Sequence, residues 1–249
     1  MSWAELDAEL GRWRDAGRTA DFWWRDDDAA KPSAPLTQLL RLSASSQVPL
    51  ALAVVPAEAT PEIFSGLKAS VLMHGTDHRN RAAPGEKKTE FAEAESDAEA
   101  VARLCIARER LATRAAKRFV PVLAPPWNRL KRALAQRLPE AGLYGLSGYG
   151  PRDRAEVAPD VRQVNTHVDI IDWRGTRGFV GEAAALRMAI GHLASRRKGE
   201  VDAGEPTGWL THHALHDRET WLFLERLFER SVKCGARWID PVELFPSRG

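Results

Sequence analysis

The sequence has little of several features that would assign a protein class at once. Its two cysteines, Cys105 and Cys234, lack CxxC spacing, which predicts ordinary thiols and makes the cytoplasm the expected compartment. The formal net charge is only +2, and no dense Lys/Arg stripe with interleaved aromatics occurs, so nucleic acid is not an expected partner. Because no apolar run is long enough to cross a bilayer and the start lacks an apolar h-region, we expect neither a membrane span nor a secretory signal.

What the chain does have is a regular alternation of two kinds of segment. Short apolar, β-branched or aromatic runs alternate with longer amphipathic stretches, which is typical of an α/β protein with parallel strands. The strand candidates are DFWWRD, VPLALAVVP, SVLMHG, FVPVLAPP, LYGLSGY, VRQVNTHVDII and TGWLTHH. About seven strands without a repeated dinucleotide fingerprint favour a (β/α) barrel over an open sheet, and we expect one domain over residues 1–249.

Polar clusters follow five of the predicted strands. In chain order they are WWRDDD, HGTDH, PPWNR, DIIDW and THHALHD. Because parallel α/β folds place reactive groups at the carboxyl ends of their strands, these clusters are expected to face one rim of the barrel. The polar, unpatterned stretch over residues 77–97 is expected to be a solvated surface loop or, alternatively, a lid over that rim.

The histidines are concentrated in two of these clusters. Of seven in the chain, five lie in HGTDH and THHALHD. His74 and His78 together with a carboxylate from a neighbouring strand end would make a two-His, one-Asp ligand set with open positions for water and substrate. Three consecutive aspartates, 26–28, repel one another unless a cation or a shared proton relieves the repulsion. A triple Asp can equally be a turn or a helix cap, but the joint placement of the clusters favours a catalytic metal.

The order of these motifs resembles a known family. Asp-Asp after the first strand, HxxxH after a later one, a Pro-Pro-aromatic turn, Asp-Trp and finally Leu-x-His resemble the polysaccharide deacetylases of the NodB homology type, carbohydrate esterase family four, over residues 21–217. The resemblance implies a deformed (β/α) barrel of about seven strands and a divalent metal, most often zinc. It also implies hydrolysis of an N-acetyl group on a sugar or a sugar-containing precursor.

Carried onto this sequence, the resemblance implies a role for several residues. Asp26 would be the general base and His212 the general acid. Asp27, His74 and His78 would hold the metal. The residues expected to bind substrate are Trp127, Leu210, Asp172 and Trp173, with Leu210 lining the pocket for the acetyl methyl group. The expected partner is a carbohydrate or another N-acylated small molecule, and the sequence gives no oligomeric state.

The chain departs from the family pattern at two places. Ala124 stands where the family has an Arg that orients the base, so Arg129 or Arg25 would have to supply the guanidinium from another direction. His212 is followed by His213, and the register with Leu210 favours His212 as the acid. The alternatives are a catalytically silent barrel that binds sugar or metal, for which Ala124 speaks, and a metal-dependent hydrolase of another amide or formamide bond.

Overall fold

The computed structural model describes residues 1–246, which contain seven α-helices and ten strands. The helices are α1 (Trp3–Asp15), α2 (Ala34–Ser46), α3 (Asp97–Ala115), α4 (Arg132–Gln136), α5 (Glu182–Lys198), α6 (Arg218–Lys233) and α7 (Pro241–Leu244). The strands are β1 (Asp21–Ala29), β2 (Ala51–Val54), β3 (Ser70–His74), β4 (Phe119–Ala124), β5 (Gly145–Leu146), β6 (Glu156–Ala158), β7 (Val161–Gln163), β8 (Val168–Asp169), β9 (Thr207–Thr211) and β10 (Arg237–Trp238). Each segment predicted as a strand overlaps at least one of these strands, and β1 extends three residues beyond the predicted DFWWRD.

The strands form one sheet in the order β6-β7-β5-β4-β3-β2-β1-β9-β8, with β10 beside β1. All neighbours are parallel except β6 and β7. Residues 161–169 connect the two ends of this order, because β7 pairs with β5 whereas β8 pairs with β9. Counted as one interrupted strand, this segment gives seven positions around the barrel. The predicted deformed (β/α) barrel of about seven strands is therefore confirmed.

Side chains of β1 and β9 alternate between the inside and the outside of the barrel, as the period of two in a strand requires. Trp23 belongs to the small apolar cluster inside the barrel, together with Ala51 and Leu72. Phe22 and Trp24 belong to the larger cluster between the sheet and the helices. The alternation places the neighbouring residues of β1 on opposite faces, and this decides which aspartates can reach the rim.

The helices that cover the barrel begin where their sequences indicate. Ser2 and Ser96 each form a capping box with a glutamate three residues on, and Asp217 caps α6 through the backbone N–H of Thr220. A separate 3-10 helix, Leu138–Ala141, follows α4, since Pro139 cannot continue the α-helical hydrogen bonds. Within residues 1–246 no helix is both long and apolar enough to cross a membrane.

Candidate active site

A group of one carboxylate and two imidazoles lies at the rim, where β1 and β3 end. His74 Nε2 is 3.0 Å and His78 Nε2 is 3.2 Å from the same carboxylate oxygen, Asp28 Oδ1. His74 is buried, whereas His78 and Asp28 are partly accessible. The three ligand atoms lie within 4.8 Å of one another, which is the arrangement of a site for a metal ion.

The hydrogen bond of His74 Nδ1 determines which ring nitrogen faces Asp28. This Nδ1 is 2.9 Å from the carbonyl oxygen of Ala124, an acceptor, so Nδ1 carries the proton and the neutral ring presents the lone pair of Nε2 to Asp28. A lone pair and a carboxylate oxygen repel each other at 3.0 Å unless a cation or a proton lies between them. A proton can fill this place as well as a metal ion: burial lowers the pKa of His74, but the attraction of Asp27 and the hydrogen bond with Asp28 outweigh burial and raise it.

The structure brings Asp28 to the two histidines, and not Asp27 as expected. A regular strand would point Asp28 away from the barrel, on the same face as Asp26. However, the pairing of β1 with β2 shifts between Asp26 and Ala29, and Asp28 has a left-handed backbone with φ 66°. Aspartate tolerates this conformation better than most residues. The change redirects the Asp28 side chain across the rim.

Asp27 instead pairs with Arg25 inside the barrel. Arg25 Nη2 donates a hydrogen bond to Asp27 Oδ2 at 3.0 Å, and Arg25 Nε lies 2.8 Å from Asp27 Oδ1, so the two almost fully buried side chains form an ion pair. The remaining guanidinium hydrogens donate to Ser147 Oγ, at 2.7 Å, and to Asn128 Oδ1, at 2.8 Å. Arg25 thus lies inside the barrel beside an aspartate. Because position 124 on β4 is an alanine, the guanidinium next to this aspartate comes from β1 instead.

Asp26, expected to be the base, faces away from the rim. Its Oδ1 lies 2.5 Å from His213 Nδ1, and its Oδ2 accepts hydrogen bonds from the Thr211 hydroxyl and the His213 backbone N–H. The side chain is fully buried between sheet and helices. Burial raises the pKa of the carboxyl, but the His213 ring more than offsets it and holds the pKa low. These contacts predict a structural ion pair and leave no free carboxylate oxygen for a reacting water.

His212 lies on the inner side, opposite to its neighbour His213. Its ring packs edge-on against Trp173, with centroids 4.7 Å apart, and its Nδ1 is buried without a hydrogen-bond partner. Trp173 is 41% exposed and donates its Nε1–H to Asp169 Oδ2 at 2.7 Å. Burial raises the pKa of Asp169, and the nearby His212 opposes this effect.

The expected substrate-binding residues lie at different places relative to the rim group, and Trp127 contacts it directly. Trp127 packs against His78, with ring centroids 4.6 Å apart, and has a left-handed backbone with φ 55°. Leu210 is fully buried, in register with Arg25 of β1. Asp172, by contrast, accepts backbone N–H groups of Gly175 and Thr176 in its own turn, so it is Asp169 that takes the place near His212.

A second group of two histidines and a carboxylate lies between the sheet and α5. His167, His192 and Glu205 are all buried, with possible ligand atoms within 4.8 Å of one another. His167 Nδ1 accepts a hydrogen bond from the backbone N–H of Gly208 at 2.9 Å, so the neutral ring carries its proton on Nε2 and has no lone pair for a metal there. The two rings are stacked, 3.5 Å apart and 15° from parallel, so their in-plane lone pairs do not converge on one ion. This group does not fit a metal.

Sequence reasoning missed Asp28, Asp169 and the contacts of Arg25. The triple Asp offers an Asp-Asp pair in two registers, 26–27 and 27–28, and the sequence does not choose between them. DIIDW also contains two aspartates. Asp172 binds backbone N–H groups of its own turn, whereas Asp169 accepts the hydrogen bond of Trp173.

Comparisons with known proteins give a clear result for the fold. No protein-family model and no curated protein matches the sequence. Among solved structures, a Mycobacterium smegmatis protein named as a candidate polysaccharide deacetylase matches 91% of this chain and 88% of its own, with a TM-score of 0.66 and 16% identity. A peptidoglycan N-acetylglucosamine deacetylase, Bc1960, matches 92% of this chain and 90% of its own, with a TM-score of 0.61 and 15% identity.

A third structure is a family 4 acetyl xylan esterase from Clostridium thermocellum in complex with a cobalt ion. It matches 90% of each chain, with a TM-score of 0.54 and 13% identity. At such identities the likeness establishes the fold, and it confirms the resemblance that the order of motifs indicated. The chain therefore has the fold of the NodB-type polysaccharide deacetylases, carbohydrate esterase family four.

Proposed function

We propose that this protein is a metal-dependent hydrolase that removes an N-acetyl group from a sugar or a sugar-containing precursor. The observation that carries the proposal is the group of Asp28, His74 and His78 at the rim of a deacetylase-type barrel. The Asp27–Arg25 pair lies beside this group, and His212 lies on the same side. A silent binder would not need both a carboxylate and an imidazole next to a metal site.

Asp28, His74 and His78 would hold a divalent cation, and zinc suits two imidazoles and a carboxylate. Cobalt is the ion in the related acetyl xylan esterase. The bound ion would supply Lewis acidity toward the acyl oxygen and the attacking water. The Nδ1–H of His74, held by the Ala124 carbonyl, keeps Nε2 available as a ligand atom.

Asp27, rather than Asp26, would act as the general base. It follows Asp26 by one residue on the inner face of β1 and precedes the proposed ligand Asp28. The carboxylate would take a proton from the water that attacks the acetamide carbonyl carbon. The ion pair and hydrogen bond with Arg25 would hold the carboxylate in one orientation, which is the task of the Arg that Ala124 replaces.

His212 would act as the general acid. The protonated ring would give its proton to the nitrogen of the departing amine as the C–N bond breaks. Asp169 would orient the ring through its charge, because its carboxylate interacts electrostatically with His212 and is held by the Nε1–H of Trp173, which packs against the same ring. Trp173 and Trp127 lie on two sides of the site and would pack against a sugar ring, and Leu210 would line the pocket for the methyl group.

The substrate class is part of the proposal. The neighbouring structures are named as enzymes that act on peptidoglycan, polysaccharide or acetyl xylan. We propose a cytoplasmic location, since the two cysteines have no disulfide spacing. That location favours a soluble or lipid-linked sugar precursor over a cell-wall polymer as the substrate.

Acetate release from a panel of N-acetylated sugars and sugar nucleotides, measured with zinc- or cobalt-loaded protein, tests this function. We expect release by the wild type and a loss of at least about 100-fold in Asp27→Asn and His212→Ala with metal content unchanged. Metal binding without any product would support the silent barrel. Formate or another acid in place of acetate would support hydrolysis of a different C–N bond.

A further inference from the structure

The loop that follows β3 contains one deeply buried carboxylate. Between Gly75 and Ser96 the chain forms no helix or strand, and most of its charged residues are exposed as expected. Glu90, however, is 0% exposed, and its neighbour Phe91 is 1% exposed. The segment is therefore not only a solvated connection. Its middle, residues 83–88, is exposed, and the chain then turns back so that residues 90–92 are buried.

The buried carboxylate of Glu90 binds the segment that carries the two histidines. Its Oε1 accepts hydrogen bonds from the backbone N–H of Thr76, at 2.7 Å, and from the Thr76 hydroxyl. Its Oε2 accepts one from the backbone N–H of His78, at 3.1 Å. Both carboxylate oxygens are thus used to hold two residues of HGTDH.

The backbone of this segment has a conformation that needs such support. His78 has a left-handed backbone with φ 55°, which is uncommon for a residue with a side chain. Gly75 has φ 62°, and a Cβ there would lie only 2.1 Å from Glu90 Oε2. Glycine at position 75 therefore allows the carboxylate to approach, and the carboxylate in turn fixes the N–H of a residue in an unfavourable conformation.

The charge of Glu90 is balanced by Arg103 of α3. Arg103 Nη1 lies 3.3 Å from Glu90 Oε1 and 2.7 Å from the Thr76 hydroxyl. The same guanidinium donates from Nε and Nη2 to Glu95, at 2.8 and 2.9 Å. The buried charge is therefore paired and its oxygens are satisfied, as a stable buried carboxylate requires. Glu95 pairs with the same Arg103, and among the described residues it forms no hydrogen bond or ion pair with HGTDH.

We propose that Glu90 is a positioning residue that holds His78 in the orientation required to bind the metal, acting through the backbone N–H of His78 and through Thr76. The inference rests on the proposed metal site. Without the carboxylate, His78 would relax from its left-handed conformation and its Nε2 would leave the position opposite Asp28. His74, held by Ala124 from β4, would stay in place.

Cobalt and zinc affinities of the full-length protein, measured by isothermal titration calorimetry, test the proposal. For Glu90→Ala we expect binding about 10- to 100-fold weaker, the range found when outer partners of metal ligands are removed. Glu95→Ala is the matched control, because it removes the other partner of Arg103 and should change the affinity by no more than about twofold. Glu90→Gln keeps the size of the side chain and one acceptor oxygen, and should give an intermediate loss while remaining folded.

A double variant separates positioning from general damage to the loop. In a His78→Ala background, adding Glu90→Ala should cause no further loss of the residual affinity, because the residue that Glu90 positions is already gone. Equal metal affinity of wild type, Glu90→Ala and Glu90→Gln would overturn the inference and leave the proposed function intact. An equal further loss in the His78→Ala background would also overturn it. Absence of metal binding by the wild type would refute the metal site itself.

Discussion

Two groups in this protein have the same composition, two histidines and one carboxylate within 4.8 Å, but different surroundings. In the rim group, His74 Nδ1 faces a carbonyl oxygen, so Nε2 is left as a ligand atom. In the group beside α5, His167 Nδ1 faces a backbone N–H, so Nε2 carries the proton. The difference shows that the hydrogen-bond partner of the second ring nitrogen, and not the composition, decides whether such a group suits a metal.

The carboxylates of the two groups also differ in whether their oxygens are directed at the imidazoles or used by other hydrogen bonds. Asp28 is partly exposed and faces both imidazoles with one oxygen. Glu205 uses its oxygens to accept backbone N–H groups of Arg152 and Asn165, at 2.9 and 2.8 Å. Its side chain therefore ties loops of the barrel together. We interpret the group beside α5 as a packed polar cluster that stabilises the closure of the barrel near residues 161–169.

Metal stoichiometry is the strongest test of this comparison. Asp28→Ala and His74→Ala should each reduce bound zinc from about one ion per chain to almost none, since each removes a ligand of a three-residue site. His192→Gln should leave the stoichiometry unchanged. Elemental analysis of the purified proteins after addition of zinc and dialysis measures this. If the wild type bound two ions and His192→Gln lost one of them, the group beside α5 would also bind a metal and the two groups would not differ in this respect.

The neighbouring aspartates of β1 should separate into three roles. Asp27→Asn should lower kcat about 10²- to 10⁴-fold and keep the metal, as expected for loss of a general base. Asp26→Asn should keep both metal and turnover in the folded protein, but should lower the free energy of unfolding by about 3–5 kcal/mol, because it leaves buried His213 without its partner. Urea unfolding and steady-state kinetics check both. If Asp26→Asn abolished turnover in folded, metal-bound protein, the sequence-based assignment of the base would be correct after all.

The pH dependence of stability should distinguish His192, in the group beside α5, from His213, which is paired with Asp26. Burial, with the nearby His167 and Arg196 adding to it, lowers the pKa of His192 to about 2. The unfolded chain therefore binds a proton below about pH 6.5 that the folded chain does not, so stability falls as the pH drops below that value, by about 2 kcal/mol at pH 5. Urea unfolding at pH 5 and pH 8 should show a smaller difference in His192→Gln than in the wild type.

His213→Gln provides a control of opposite sign. Burial lowers and the Asp26 charge more strongly raises the pKa of His213, so its contribution to stability is complete below the ordinary pKa of histidine. That contribution is lost as the pH rises through the raised pKa of the folded state. The stability lost in His213→Gln should thus be larger at pH 5 than at high pH. If His192→Gln and His213→Gln changed the pH dependence of the free energy of unfolding in the same direction, His192 and His213 would not differ as described.

The smallest expected effect concerns the exposed aromatic side chain at the rim. Trp173→Ala should raise KM for a sugar substrate about 2- to 10-fold, the effect of losing about 0.5–1.5 kcal/mol of aromatic contact. Trp173→Phe keeps a ring but loses the hydrogen bond to Asp169, so it should recover most of the KM. Steady-state kinetics with the best substrate of the panel measures both. An unchanged KM in Trp173→Ala would remove Trp173 from the substrate site.

Much of the fold could be predicted because it depends on local pattern. The apolar period indicated a strand at each of the seven positions around the barrel, but not the short strands β6 and β10. The length of β5, only two residues, and the division of residues 161–169 between two neighbours could not be predicted in this way. Both depend on which strands lie beside the segment and not on its own residues.

The sequence by itself determined the barrel, the pair His74 and His78 and the meeting of the polar clusters at one rim, because strand period and connection order are properties of the chain. Only the tertiary structure decided that Asp28 rather than Asp27 reaches those histidines and that Arg25 pairs with Asp27. A single left-handed residue at a shifted pairing changes the face to which a side chain points. Such a change depends on the neighbouring strands, and three identical residues in a row carry no mark of it.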